Sequence, residues 1–254
     1  MYTNNCCTQA WGKSSSGEEI RLALAPSCGR IERMQSPTTL PAIRRRLNEL
    51  AEEKYREFAA RLLPGETQLL GVRLPTLRRI AKQLAQQGIW QLPADEAQSM
   101  EELMLRGMLI GYARGVPLSE RLGALAGFVP LIRNWSVCDS CCATYAFARQ
   151  HRETLWEWLA PYSASEQEYE ARFGVVMLLL HFKQEEPWAM RVAELLPRVH
   201  AAGYYAQMAA AWCACELCLL YPHLAGELLH KLHPPVRRLT LRKLRESKRI
   251  TELP

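Results

Sequence analysis

The chain has 254 residues, 48% of them hydrophobic and 23% charged, which is the balance of an ordinary globular protein with one large domain or two small ones. The longest strongly apolar run, 175–180, is far short of the ~20 residues a membrane span requires. No charged-then-apolar leader opens the sequence, so a cytoplasmic location is expected. Nine cysteines are an odd number and fit reduced thiols better than a disulfide framework. The formal charge is +6, and the segment from Lys231 to Pro254 alone carries that much excess, with eight basic residues against Glu246 and Glu252. Such a tail suits either a polyanion partner or a solvated basic helix.

Residues 1 to about 38 contain SSSG and SPTT, lack hydrophobic periodicity and include a second methionine, Met34. They are expected to be a disordered extension, or to lie upstream of an alternative start. From Pro41 the texture changes. PAIRRRLNELAEEKYREFAARLL spaces its apolar residues at helical intervals, and PTLRRIAKQLAQQG pairs a proline suited to a first helical turn with a glycine suited to a C-cap. Further helices are predicted over 95–114, 118–132, 136–149, 151–160, 166–183, 187–201, 203–221, 222–232 and 235–247. None of these intervals reads as a strand. Short connections imply antiparallel neighbours, so residues 39–254 are expected to form one all-α domain, an α-solenoid of degenerate HEAT-like helical hairpins whose curved face would suit an elongated ligand.

Four places could carry chemistry. Trp135 and Asp139 stand four apart on one helical face; a capping box formed by Ser136 to Asp139 would explain the aspartate, but not the tryptophan. Arg172 precedes a stretch apolar almost all round, so its guanidinium must find water, an acid or a phosphate. Trp212 falls on a stripe with Tyr205, Met208, Cys215 and Leu219, a spacing that usually marks core, although Ala209, Ala210, Ala211 and Ala214 leave room around the indole. The clusters Cys138, Cys141, Cys142 and Cys213, Cys215, Cys218 lie inside predicted helices, where buried small hydrophobes are expected and zinc is not.

Five segments in order, GVRLPTLRRIAK (71–82), RNWSVCD (133–139), EARFGVVMLL (170–179), YYAQMAAAWCACE (204–216) and LRKLRESKRI (241–250), together resemble the AlkD-like DNA alkylation repair proteins. The resemblance covers roughly residues 40–250. It implies a HEAT-like superhelix that binds duplex DNA in a basic face and releases N3- or N7-alkylated purines as a monofunctional DNA glycosylase. It further implies that Trp135, Trp212 and Asp139 frame the lesion nucleotide, that Arg172 helps hold the site, and that the damaged nucleotide stays against the protein surface without a deep base pocket. The cysteine-rich site, the RNWSV context of Trp135 and the N-terminal extension depart from the family pattern. Some relatives with this fold bind DNA without excising bases.

The expected partner is therefore double-stranded DNA bearing alkylated purines. Arg78, Arg79 and Lys82 on one helix, and Arg237, Arg238, Arg242, Lys243, Arg245, Lys248 and Arg249 towards the C-terminus, are the expected DNA contacts. No metal, cofactor or membrane is expected, and the protein is expected to be a monomer. A non-catalytic helical scaffold for nucleic acid or protein is the competing expectation.

Overall fold

A computed structural model describes residues 39–93, 97–199 and 203–247. The extension 1–38 and the basic residues Lys248 and Arg249 lie outside the described residues. Within them the chain is an all-α helical repeat solenoid of twelve α-helices linked by short turns, without a strand.

The long N-terminal helical pattern is interrupted. It forms α1 (Leu40–Glu49) and α2 (Glu53–Leu62). The break has a tertiary cause: between them Glu52 donates its backbone N–H to the Gly71 carbonyl and pairs its carboxylate with Arg73, tying this corner to the loop before α3 (Leu74–Gln86). That loop is held from the other side by Glu101, a buried carboxylate that accepts the backbone N–H groups of Leu70, Gly71 and Val72.

Glu101 belongs to α4 (Met100–Tyr112), which starts at Ser99, whose hydroxyl accepts the Glu102 N–H. Glu102 is buried and is held by Arg44 of α1 and Arg106. After α5 (Leu118–Phe128), Pro130 tightens the chain into a 3-10 turn at Val129–Leu131 instead of continuing the helix. Next come α6 (Trp135–Cys142), α7 (Arg152–Ser163) and α8 (Glu168–His181). The predicted helix over 136–149 thus ends at Cys142 and resumes only as a 3-10 turn.

The chain closes with α9 (Glu186–Leu195), α10 (Gly203–Leu220), α11 (Ala225–Lys231) and α12 (Pro234–Glu246). A central row runs α4, α6, α8, α10, α12, each packed on the next, while α3 leans on α4 and α7 on α8. The central position explains why α4, α8 and α10 are apolar on nearly every side.

Two glycines let helices pack closely in and against the central row, Gly107 of α4 against α6 and Gly174 of α8 against α7. A Cβ on Gly107 would meet Cys141 Sγ of α6 at 2.5 Å, and one on Gly174 would meet the backbone nitrogen of Ser163 in α7 at 2.6 Å. Each lets a neighbouring helix approach closely, and the helices so placed, α6 and α8, carry Asp139 and Arg172.

Candidate active site

Helix α6 begins at Asn134, whose side chain accepts the Val137 N–H at 3.0 Å. The expected capping box at Ser136 to Asp139 does not form. Trp135 occupies the first helical position, so Asp139 lies more than a turn inside, out of reach of the free N-terminal amides.

The Asp139 carboxylate instead faces α8. Arg172 Nε donates to Asp139 Oδ1 at 2.9 Å and Arg172 Nη2 to Oδ2 at 2.7 Å, a bidentate pair. The third arm of the guanidinium, Nη1, donates to the Tyr205 carbonyl in α10 at 2.7 Å. Three successive members of the central row therefore meet at one guanidinium. The pair is asymmetric in exposure, with side-chain values of 7% for Arg172 and 22% for Asp139, so the carboxylate is the member that reaches solvent. Burial alone would lower the arginine's pKa, but the hydrogen bonds and charge of Asp139 prevail and raise it.

Tyr205 is itself anchored, because its N–H donates to Glu168 Oε1 at 2.6 Å. Its ring stacks on Tyr169 with centroids 5.8 Å apart. Burial, and then the Glu168 charge, push the Tyr169 phenol up to about 12, leaving it a neutral hydrogen-bond donor. Neither tyrosine nor Glu168 is marked in the sequence by anything but proximity to Arg172 and Trp212.

Trp135 is half-buried on the Asp139 side of α6, and its indole N–H donates to the Leu62 carbonyl at 3.3 Å. Trp212 lies seven residues, ~10 Å, along α10 from Tyr205. The stripe on which it falls lies at the edge of the core: Cys215 is buried, and Trp212 and Leu219 pack against the core while part-exposed. Tyr205, Met208, Trp212 and Leu219 are all half-exposed, and the buried side of α10 is made of Ala206, Ala209, Ala210, Cys213, Ala214 and Leu217. Small residues suit this helix because both α8 and α12 press on it.

The cysteines follow the small-hydrophobe expectation. All six in α6 and α10 are buried and none forms a disulfide. Burial pushes the Cys141 and Cys142 thiols well up, Cys213 to about 12 and Cys218 to about 11, so none of these four is a poised thiolate. Among the described residues no three His, Cys, Asp or Glu side chains converge as a metal site would require.

The basic residues do not form one patch. Arg78, Arg79 and Lys82 are on α3, at one end of the central row; Arg79 and Lys82 are exposed, and Lys82 lies over the Tyr112 ring at 5.4 Å. Arg237, Arg238, Arg242, Lys243 and Arg245 are on α12 at the other end. Arg238, Arg242 and Arg245 line a groove of about 550 Å³ between α12 and Tyr204 of α10. The two basic helices bracket the Asp139–Arg172 pair.

A repeat protein built on a central helical row, with an anchored carboxylate one turn from a half-buried tryptophan and cationic helices at both ends, is a scaffold suited to a polyanion. The chain belongs to the DNA alkylation repair enzyme family, whose model matches residues 43–203. That match includes Trp135, Asp139 and Arg172 and ends before Trp212 and α12. No curated protein matches the chain. Family membership places the protein in DNA alkylation repair, with DNA as its partner.

Proposed function

We propose that the protein is a monofunctional DNA glycosylase that hydrolyses the N-glycosidic bond of N3- or N7-alkylated purines in duplex DNA. The observation that carries this reading is the orientation of Asp139 by Arg172, with the carboxylate the member of the pair that reaches solvent.

Alkylation at N3 or N7 makes the purine cationic. When the bond between C1′ and the base nitrogen breaks, its electron pair goes to the base, which leaves neutral and needs no proton. The positive charge passes to C1′ and O4′ of the sugar. A fixed carboxylate opposes that charge as it develops, and a water held by the same carboxylate adds at C1′ and gives up a proton. Products are the free alkylpurine and an abasic deoxyribose.

Arg172 fixes the orientation of the carboxylate plane, so Asp139 need not reorganise as the sugar becomes cationic. The indoles of Trp135 and Trp212 present faces to which a cationic nucleotide is attracted and against which deoxyribose packs. Exposed arginines on α12 and the cations of α3 supply the contacts to backbone phosphates on either side. The test is release of free methylpurine from methylated duplex under single turnover, with and without the Asp139 charge. Binding without release would make the protein a lesion-binding scaffold.

A further inference from the structure

Glu168 and Arg172 stand four apart on α8, so they share one face of that helix one turn apart. Both reach the same residue of α10. Glu168 Oε1 accepts the Tyr205 N–H at 2.6 Å, and Arg172 Nη1 donates to the Tyr205 carbonyl at 2.7 Å. The two backbone groups of one residue are thus gripped by a carboxylate and a guanidinium of a single helix.

Tyr205 is the third residue of α10, where backbone N–H groups have no partner within the helix. A carboxylate is favoured there by the positive end of the helix as well as by the hydrogen bond. Gly203 leaves space for it, since a Cβ at that position would meet Glu168 Oε1 at 2.6 Å. Glu168 therefore fixes the start of α10 against α8, and the Tyr205 carbonyl comes to lie where Arg172 finds its third acceptor. Arg172 spends its other donors, Nε and Nη2, on Asp139. With those two bonds alone, guanidinium and carboxylate could turn together as one unit on the arginine side chain; the bond to the α10 backbone removes that freedom.

We propose that Glu168 is a positioning residue for the reaction: by holding the backbone of Tyr205, it fixes the guanidinium that aims the Asp139 carboxylate at the sugar. The proposal rests on the glycosylase reading. Glu168 touches no reacting atom, and its whole effect passes through Arg172. Folding depends on it less, because its contact with Tyr205 is only part-buried and water can take the N–H that Glu168 releases.

The experiment uses the full chain and two substitutions: Glu168→Ala, which removes the acceptor, and Glu168→Gln, which keeps an acceptor without the charge. Single-turnover excision of N7-methylguanine from methylated duplex is measured together with melting temperature. Affinity is measured for two abasic duplexes, one bearing tetrahydrofuran and one bearing a pyrrolidine whose protonated nitrogen stands at the C1′ position. Glu168→Ala should lose ~10-fold or more in excision rate, within the ~10²-fold that a misplacement of about 1 Å can cost. It should bind the tetrahydrofuran duplex as wild type does and lose most of the preference for the pyrrolidine. Glu168→Gln should retain most of both. In an Arg172→Gln background, Glu168→Ala should change neither quantity further. Full excision and full pyrrolidine preference in a folded Glu168→Ala variant, or losses of equal size in both backgrounds, overturn the proposal. A Glu168→Gln variant as impaired as Glu168→Ala also overturns it, by tracing the effect to charge instead of the backbone grip. If wild type excises nothing, the glycosylase reading fails; the pyrrolidine preference of wild type, and its loss in Glu168→Ala, still decide whether Glu168 positions Asp139.

Discussion

Arg172 of α8 grips the Asp139 carboxylate of α6 with two parallel hydrogen bonds, 2.9 Å and 2.7 Å long, and spends its remaining arm on the backbone of α10. One contact thereby couples the geometry of the site to the packing of the central row. Asp139→Asn consequently does more than remove a charge from the site; it strands a guanidinium that is 6% exposed.

Asp139→Asn is expected to lower stability by about 3 kcal/mol, the low end for breaking a buried pair because Asp139 keeps some contact with water. Single-turnover excision should fall by ~10²-fold or more. The double variant Asp139→Asn with Arg172→Gln removes the stranded charge. It should regain much of the melting temperature without regaining excision. Recovery of both together would show that Asp139 serves folding alone.

Binding to duplex DNA should weaken steeply with salt, each phosphate contact adding about −0.9 to the slope of log K against log salt. Changing Arg238, Arg242 and Arg245 to glutamine together should flatten that slope by up to about 2.7. An unchanged slope would remove the α12 groove from the interface.

Acid should destabilise the fold through His181. Its ring is 2% exposed, Nε2 is 2.8 Å from the Cys142 carbonyl, and Nδ1 has no partner among the described residues. Burial moves its pKa from 6.5 down to about 4. The folded state therefore holds the neutral ring while the unfolded chain takes up a proton, so this contribution is complete above pH 6.5 and is lost as pH falls towards 4. The loss is on the order of 3 kcal/mol. In His181→Gln, denaturant midpoints measured over this window should fall less than in wild type.

Gly174→Ala should cost ~1–3 kcal/mol through overpacking, since the new methyl would press on the Ser163 backbone, which cannot rotate away as a side chain would. A melting temperature equal to wild type would show that α7 and α8 separate freely. If Arg172 shifts with α8, excision should fall further than stability accounts for.

Helix content, the solenoid class and the residues worth attention were legible in the sequence, because helical periodicity is a local property and tryptophan, aspartate and arginine are conspicuous against it. The two readings of Asp139 could not be separated locally: four residues from Ser136 to Asp139 have the form of a capping box, and only the backbone shows that Asn134 serves as the cap. Tertiary structure decided the rest. The division of the N-terminal pattern into α1 and α2 depends on Glu52 meeting Gly71 and Arg73, and the half-exposed stripe of Trp212 depends on alanines being needed where α8 and α12 press on α10. Asp139 and Arg172 are 33 residues apart in the chain and Glu66 and Asn134 are 68 apart. Hydrogen bonds at such separations carry no periodicity in the sequence; the partners meet only through the tertiary packing of the folded chain.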